Sequence, residues 1–335
     1  MDNNIKVSVL VVTYNQELFI RETIESILSQ ETDFRFELIV ANDCSTDDTT
    51  DIINEYASKY PQIIKHLNRP KNLGLIGNLF DGLINHCTGN YIALCAGDDY
   101  WSNSAKLQKQ VDFLDANSKY SMVHTGYQKF IMSTRSFVDA DKWVSSLQSK
   151  YGKNEIKTVL LEEFSSFPVA SSMMFRGPET LQELKKCEHL YVQRQIPGEG
   201  MLLFSIFTLL GAFGYIDDIC TVYRVQDSSA CHIQDYRKKC LFNLKYSAQK
   251  LEIADSFNVQ KKYKIKLMVK HILGYLHSCN ENHEKEFIEA LDAYKEVPNS
   301  KYYNVGSRII RLISKCRIIK NLCLLVLKLK KYGVR

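Results

Sequence analysis

The hydrophobic residues of the first 118 positions alternate between short continuous runs and stripes at helical spacing. Apolar, β-branched runs typical of strands buried on both faces occupy residues 7–12, 36–41 and 91–95, with a weaker run at 62–67. Stripes typical of amphipathic helices occupy residues 17–30, 47–59, 76–87 and 103–117. Strands that alternate with helices predict an α/β domain with a doubly wound, mostly parallel sheet.

The pattern changes after position 118. Residues 171–176 and 219–225 look like strands, and 199–210 read as an apolar helix. Helical stripes then fill most of the remaining chain, at 234–256, 261–281, 283–296 and 307–331. We therefore expect an α/β domain over residues 1–230, divided near 118 into halves 1–118 and 119–230, and a helical C-terminal region over 231–335.

Polar residues follow three of the predicted strands. These segments are Thr13-Tyr14-Asn15, Asn42 to Asp47, and Gly97-Asp98-Asp99. Ligands of open α/β sheets bind beyond the carboxyl ends of the strands, so the three segments should share one crevice. Adjacent carboxylates at Asp98 and Asp99 suit a hard cation such as Mg²⁺ or Mn²⁺, and Asp43 could accept hydrogen bonds from a base or ribose. The alternative is that these acids only cap helices, as Asp47 could.

Composition and charge narrow the function classes. The chain has 45% hydrophobic and 24% charged residues, which indicates a globular protein. Its ten cysteines contain no CxxC pair, so we expect free thiols in a reducing cytosol rather than disulfides or a zinc site. We also expect no signal peptide, because a strand-like run follows the first few residues at once. The net charge is +5, but residues 297–335 hold ten Lys or Arg and no acid. Because the basic residues are confined to this tail, nucleic-acid binding is not expected.

Several nucleotide-dependent enzyme classes lack their signatures in this chain. A dinucleotide oxidoreductase needs a GxGxxG turn after the first strand, where this chain has Thr13-Tyr14-Asn15. A P-loop kinase needs GxxxxGK[ST], which does not occur. The Gly-rich, Arg-containing loop usual near the amino terminus of sugar nucleotidyltransferases is also missing.

Taken in order, the motifs resemble those of family 2 glycosyltransferases of the GT-A fold. The resemblance covers about residues 5–230. It rests on Thr13-Tyr14-Asn15, Ala41-Asn42-Asp43-Cys44-Ser45-Thr46-Asp47, Asn72-Leu73-Gly74 and Gly97-Asp98-Asp99. The segments Tyr100-Trp101 and Lys106-Leu107-Gln108-Lys109-Gln110 that follow match one bacterial branch. The resemblance implies an inverting transfer of a sugar from a nucleotide-sugar, expected to be a UDP-sugar, to a glycan or lipid-linked acceptor in surface polysaccharide synthesis. Residues 1–118 would then be the nucleotide-binding half and 119–230 the acceptor half.

The resemblance also assigns roles to residues. Thr13, Asp43 and Asn72 would line the nucleoside pocket. Asp98 would lie against the ribose or diphosphate, and Asp99, together with Asp98, would hold Mg²⁺ or Mn²⁺. We expect Asp99 to be a solvent-facing ligand rather than a core group.

The segment Tyr223-Arg224-Val225-Gln226 resembles the Tyr-Arg-x-His stretch of the family, with Gln226 in place of its histidine. The resemblance implies that Arg224 binds the donor diphosphate or the acceptor.

The chain departs from the family pattern at three acidic positions, now Asn42, Ala96 and Gly200. Gly200 replaces the second acid of a Glu-Asp pair that usually supplies the catalytic base, which leaves Glu199 as the candidate base. Asp217 and Asp218 are the fallback. The departures also leave open a degenerate protein that binds a donor or serves as a scaffold without transfer.

The basic tail suggests that the protein attaches to a membrane surface. Arg308, Arg311 and Lys315 share one helical face, opposite the apolar residues Ile309, Leu312, Ile313 and Cys316. The apolar run at 322–327 is too short to span a bilayer, so we expect the tail to lie on an anionic membrane surface, at the inner face of the cell membrane. The alternative is a helix packed on the catalytic domain or on a second subunit of a homodimer.

Overall fold

The chain is described over residues 4–139, 152–161, 168–191, 198–226, 235–280, 282–294 and 300–331 of a computed structural model, with side chains to 324 in the last helix. It divides into two compact units. One comprises Met1–Val192 with Glu199–Ser228, and the other comprises Gln193–Gly198 with Ser229–Arg335.

The first unit contains a nine-stranded mixed sheet. Its strands are β1 (Val7–Thr13), β2 (Phe36–Asn42), β3 (Ile64–Asn68), β4 (Tyr91–Ala96), β5 (Tyr100–Trp101), β6 (Tyr120–Ile131), β7 (Ser136–Asp139), β8 (Met173–Arg176) and β9 (Ala212–Val225). Its helices are α1 (Ile20–Leu28), α2 (Thr49–Lys59), α3 (Gly74–His86), α4 (Lys106–Ala116), α5 (Ile156–Leu161), α6 (Gly177–Lys186) and α7 (Gly200–Leu210). Short 3₁₀ turns occupy Ala170–Ser172 and Glu188–Leu190.

Parallel pairing places the ends of the first strands at one edge. The sheet order is β3-β2-β1-β4-β8-β6-β9-β5, with β7 paired to β6, and the four strands β3, β2, β1 and β4 are parallel. Thr13 pairs with Asn42, and Val12 pairs with Ala96. The polar segments that follow β1, β2 and β4 therefore leave the sheet side by side, as predicted.

Helices cover both faces of the parallel part because both faces are apolar. Val7, Val9 and Val11 belong to the fully buried cluster that α1, α2 and α4 complete on one face. Leu10 points to the other face, against α3. A Cβ added at Gly82 of α3 would lie 2.9 Å from Leu10 Cδ1, so the glycine permits this close approach. The expected α/β architecture with a parallel β3-β2-β1-β4 sheet is confirmed.

The central strand β6 was missed by the sequence analysis. It is twelve residues long and carries the buried polar residues His124 and Thr125, which hide its apolar pattern. It pairs in parallel with β9, which begins at Ala212, seven residues before the predicted strand. Helix α6 was also missed.

The second unit is helical over its described residues. Its helices are α8 (Tyr236–Ser256), α9 (Lys261–Asn280), α10 (Glu284–Ala293), α11 (Lys301–Lys315) and α12 (Arg317–Lys331). The single tail helix predicted over 307–331 is two helices that meet at Cys316, where the backbone is extended (φ −115°, ψ 96°). No helix in the described part of the chain is both long enough and apolar enough to cross a bilayer.

The predicted division of the tail helix into an apolar face and a basic face is partly wrong. Ile310 is fully buried and Ile313 is 7% exposed, so α11 packs its apolar face inside the unit. Leu312, expected on the apolar face, is 67% exposed and lies with the basic residues. Of the residues that were assigned to the apolar face, the protein therefore buries Ile313 and half-buries Ile309 and Cys316. Residues 297–299 and 332–335 of the tail lie outside the described residues.

Candidate active site

The strand ends are joined into one frame by hydrogen bonds beyond the sheet. The Asp43 N–H donates to Thr13 O at 3.0 Å, and the Gly97 N–H donates to Val12 O at 2.9 Å. The two segments after β2 and β4 are thus held on either side of the end of β1. This arrangement places Asp43 and the Gly97–Asp99 turn at the same edge of the sheet.

Asp43 organises the loop that leads into α3. Its Oδ1 accepts a 2.7 Å hydrogen bond from the Leu73 N–H, and its carbonyl accepts one from Asn72 Nδ2 at 3.2 Å. Asn72 Oδ1 in turn accepts from the Gly74 N–H, where φ is +74°. Asp43 and Asn72 are therefore adjacent, as expected for two residues of one nucleoside pocket. Asp43 itself is only 3% exposed.

Thr13 lies beneath the Gly97 turn. It is 4% exposed, and its hydroxyl donates a 2.8 Å hydrogen bond to Gln16 Oε1. A Cβ added at Gly97 would lie 2.2 Å from Gln16 Oε1 and 2.6 Å from Thr13 Oγ1. Glycine is therefore needed at 97 so that the turn can settle onto Thr13, which supports the turn more than it faces the crevice.

Asp99 points into the protein, so the expectation that it faces solvent is wrong. It is 1% exposed. Its Oδ2 accepts a 2.5 Å hydrogen bond from Ser171 Oγ, and its Oδ1 accepts one from the Arg224 N–H at 3.0 Å. Burial, and then the neighbouring Asp98 carboxylate, raise the pKa of Asp99 above its usual range.

Asp98 is the half-buried carboxylate of the turn, and it is better placed than Asp99 to meet a cation. Its Oδ2 accepts a 2.8 Å hydrogen bond from Gln226 Nε2, and burial raises the pKa of Asp98. Among the described residues, no group of three or more His, Cys, Asp or Glu side chains could enclose a metal. Mg²⁺ usually takes only one or two protein carboxylates and completes its shell with phosphates and water. The residues present therefore fit a metal that arrives with a diphosphate.

Arg224 is committed to holding the turn, which corrects its expected role as a diphosphate or acceptor ligand. Its side chain is 7% exposed, and its Nη1 donates to Asp98 O at 2.6 Å. Its Nη2 pairs with Glu22 of α1. The guanidinium carbon lies 4.7 Å from the Tyr100 ring centroid and 5.2 Å from that of Phe19. With these partners, Arg224 braces the backbone of Asp98 from behind.

Ser171 is the residue of this site that the sequence analysis missed. Its hydroxyl donates to Asp99 and accepts from the Ala96 N–H at 3.1 Å. Its carbonyl accepts hydrogen bonds from Trp101 Nε1 at 2.9 Å and Thr221 Oγ1 at 3.2 Å. Ser171 thus connects to both sides of the Gly97–Asp98 turn.

Glu199 lies at the amino-terminal end of α7. Helix α7 turns at Gly211 into β9 and packs on it, with the rings of Phe207 and Phe213 6.3 Å apart. At about 1.5 Å per residue, the helix returns roughly 15 Å along the sheet. This places Glu199 near the level of Ile216 in β9, next to Tyr215, which pairs with His124 of β6. Burial raises the pKa of Glu199.

The alternative candidate bases, Asp217 and Asp218, are engaged by neighbouring side chains. Asp218 forms a salt bridge with Lys109 at 2.6 Å, and Asp217 Oδ1 accepts a hydrogen bond from Tyr215 OH at 3.1 Å. Both lie within β9 and are engaged by neighbours on that part of the sheet.

Comparison with known proteins agrees with this geometry. The model of the family described as "Glycosyl transferase family 2" matches residues 8–176. The putative glycosyltransferase EpsE of Bacillus subtilis is 42% identical over 130 residues, covering 39% of this chain and 46% of EpsE. The Escherichia coli protein WfaP, named a UDP-Glc:α-D-GlcNAc-diphosphoundecaprenol β-1,3-glucosyltransferase, is 31% identical over 157 residues, covering 47% of this chain and 60% of WfaP. The chain spans only 31% of the length of the mycobacterial relatives that it matches at 45% identity.

Solved structures share the fold. S. aureus TarS in complex with UDP-GlcNAc superimposes with a TM-score of 0.53 at 18% identity, covering 87% of this chain and 92% of that one. The mannosyltransferase PcManGT from Pyrobaculum calidifontis, in complex with GDP-Man and Mn²⁺, gives a TM-score of 0.52 at 17% identity and covers 96% and 84%.

Proposed function

The chain belongs to glycosyl transferase family 2, and from this premise and the geometry of the site we propose that it transfers a sugar from a nucleotide-sugar to a hydroxyl group of a glycan or lipid-linked acceptor. The observation that carries the proposal is the arrangement of Asp43 and Asp98 after β2 and β4, on either side of the end of β1. The first is tied to the loop that leads into α3, and the second is braced in a turn by Gln226 and Arg224. One end suits a nucleoside and the other a diphosphate.

Each part of the donor would meet a distinct group. Asp43 and Asn72 would contact the nucleoside, and Asp98 would lie at the diphosphate. Asp98 would hold Mg²⁺ or Mn²⁺. Asp99 would fix the shape of the turn and would not itself bind the cation. When bound, the cation would neutralise the charge that develops on the departing diphosphate.

The transfer itself would be a single displacement that inverts the anomeric carbon. The acceptor oxygen forms a bond to that carbon as the carbon–oxygen bond to the diphosphate breaks. Glu199 would take the hydroxyl proton, and the nucleoside diphosphate would leave with the bonding electron pair. A carboxylate whose pKa is raised by burial, as that of Glu199 is, suits a general base near neutral pH.

The donor is proposed to be a UDP-sugar. The name of WfaP specifies UDP-Glc, and TarS was solved with UDP-GlcNAc, whereas PcManGT was solved with GDP-Man. A panel of UDP- and GDP-sugars, incubated with the full chain and Mn²⁺, tests the choice through release of the nucleoside diphosphate. UDP-sugars should give the larger release, and a response confined to GDP-sugars would contradict the choice.

The acceptor is proposed to belong to surface polysaccharide synthesis. The named relatives include a teichuronic acid glycosyltransferase and WfaP, whose printed acceptor is carried on diphosphoundecaprenol. Such an acceptor would place the protein at the inner face of the cell membrane. In α12, Ile318, Ile319 and Leu322 are 74%, 48% and 57% exposed beside Arg317, and they would contact that surface. Changing the three aliphatic residues to Ser should lower sedimentation with anionic vesicles, and unchanged sedimentation would remove α12 from this role.

A second candidate is a protein that binds the donor without transferring it. Ala96 and Gly200, where the family pattern has acids, favour this alternative. It predicts tight binding of a nucleotide-sugar with no sugar transfer and no release of nucleoside diphosphate in the presence of Mn²⁺ and acceptor. The enzyme would transfer the sugar to the acceptor and release the nucleoside diphosphate.

A further inference from the structure

Helix α9 of the second unit exposes an apolar stripe. Ile265, Val269 and Leu273 are 39%, 43% and 39% exposed. They are spaced by four residues, so they lie on one side of the helix, about 12 Å from end to end. The opposite side of the same helix is already used, because Leu267, Tyr275 and other residues of α9 are buried in the unit. The stripe is therefore separate from the packing that holds the helix in place.

The surroundings of the stripe are strongly basic. Helix α9 contains five lysines and no Asp or Glu. Lys264 faces α8, where it pairs with Asp255 at 2.7 Å. Lys262, Lys266 and Lys270 are exposed along the stripe, two of them directly after Ile265 and Val269 in the sequence. Long lysine side chains can rest their carbons on apolar surface while their ammonium groups reach outward.

This combination selects the kind of partner. A second copy of the chain fits poorly, since pairing through this stripe would bring like charges together. Three aliphatic side chains that are already more than half covered would also contribute far less than the roughly 800 Å² per partner that stable interfaces bury. An acidic protein or a nucleic acid would satisfy the lysines but leave the stripe without a use. A lipid surface with anionic headgroups satisfies both features at once.

We propose that α9 is a lipid-docking surface. Ile265, Val269 and Leu273 enter the boundary between headgroups and acyl chains, and Lys262, Lys266 and Lys270 bind the lipid phosphates. The site is distinct from α12, and its use for reaching a lipid-linked acceptor rests on the proposed function. Lipid binding itself does not depend on sugar transfer.

The test measures binding of the full chain to phosphatidylcholine vesicles that contain about one third phosphatidylglycerol. Each basic residue near such a surface is worth about 1 kcal/mol. Lys262→Gln/Lys266→Gln/Lys270→Gln should therefore lower the partition coefficient by on the order of 100-fold. The matched control, Lys59→Gln/Lys153→Gln/Lys185→Gln, removes the same charge from exposed positions of the first unit and should lower it far less. Ile265→Gln/Val269→Gln should also weaken binding while leaving the charge unchanged.

The outcomes separate this proposal from its rivals. Equal loss in both lysine variants, or none in either, overturns it. Full binding by the Ile265→Gln/Val269→Gln variant would show a polyanion site rather than a lipid surface, and a change in oligomeric state on size-exclusion chromatography in any α9 variant would show an interface between copies. Thermal unfolding checks that each variant folds. Release of nucleoside diphosphate, measured in parallel without vesicles, should be the same for all variants, so a failure of lipid docking is distinguishable from a failure of the proposed activity.

Discussion

Ser171 Oγ donates a 2.5 Å hydrogen bond to Asp99 Oδ2 across 72 positions of sequence. The same hydroxyl accepts from the Ala96 N–H at 3.1 Å, on the other side of the Gly97–Asp98 turn. Asp98 is therefore presented by a turn whose two sides are fixed to one buried side chain. The orientation of the proposed metal ligand depends on a residue that does not itself reach the crevice.

Ser171→Ala should loosen this turn. Residues that position a metal ligand typically contribute 10- to 100-fold in metal affinity or activity, so we expect a loss of about that size in the Mn²⁺ response. The buried Asp99 oxygen and Ala96 N–H would also lose a partner, at about 1–3 kcal/mol of unfolding free energy. A titration of nucleotide release against Mn²⁺ measures the first effect.

Ser172→Ala is the matched control for that experiment. Ser172 is equally buried and its hydroxyl donates only to Val169 O, at 2.8 Å. It should lose stability but keep the wild-type Mn²⁺ response. If both variants respond to Mn²⁺ like the wild type, Ser171 has no positioning role.

Glu199→Gln should preserve donor binding and abolish most transfer, because the amide has a similar shape but cannot accept the acceptor proton. A positioned general base usually contributes about 10²–10⁴-fold. Single-turnover transfer and equilibrium binding of the donor measure the two properties separately. Asp218→Asn, which breaks the salt bridge to Lys109, should change transfer little. If Asp218→Asn abolishes transfer and Glu199→Gln does not, the base is Asp218 of β9 rather than Glu199.

Cys44→Gly should stabilise the first unit. Cys44 has φ +64°, a left-handed conformation that costs a residue with a Cβ about 1–2 kcal/mol. Glycine recovers this cost and loses about 0.5–1 kcal/mol through greater freedom in the unfolded chain. The net gain should be about 0.5–1 kcal/mol in denaturant unfolding. Cys316→Gly, at a half-buried residue with φ −115°, should show the opposite sign, and a loss of stability at both positions would refute the strain argument.

The second unit should lose stability in mild acid because of His271. Burial lowers the pKa of this histidine from 6.5 to about 4. The unfolded chain therefore binds a proton between those values while the folded unit does not. The contribution of neutral His271 to the free energy of unfolding is fully present above about pH 6.5. It is lost as the pH drops toward 4, by at most about 3 kcal/mol. His271→Asn should flatten this slope in unfolding followed at several pH values, whereas the exposed His277→Asn should retain it.

The sequence predicted the location of the site better than the direction of its side chains. Parallel β1, β2 and β4 required their ends to meet at one edge, so the proximity of Asp43 to the Gly97–Asp99 turn followed from topology alone. Asp98 and Asp99 are adjacent outside regular pairing, where no periodicity shows which one turns inward. That choice depends on Ser171, whose place in a run predicted to be a strand concealed its contacts.

Arg224 illustrates the same limit. Its position at the end of a strand suggested a ligand, yet its partner Glu22 lies on α1, and only the tertiary structure brings the two together. A buried arginine at a strand end needs several acceptors. The acids and carbonyls near the crevice were therefore the available signal that Arg224 binds groups of the protein rather than a ligand.

The most direct test of the site compares wild type with Asp98→Asn across a Mn²⁺ titration, recording release of nucleoside diphosphate from a UDP-sugar. We expect metal-dependent release by the wild type, abolished by EDTA, and a loss of at least about 100-fold in the variant, because the ligand to the cation is weakened. Binding of the nucleoside alone, which we propose to depend on Asp43, should persist. Release by Asp98→Asn at the wild-type rate and with the same Mn²⁺ dependence would contradict the account.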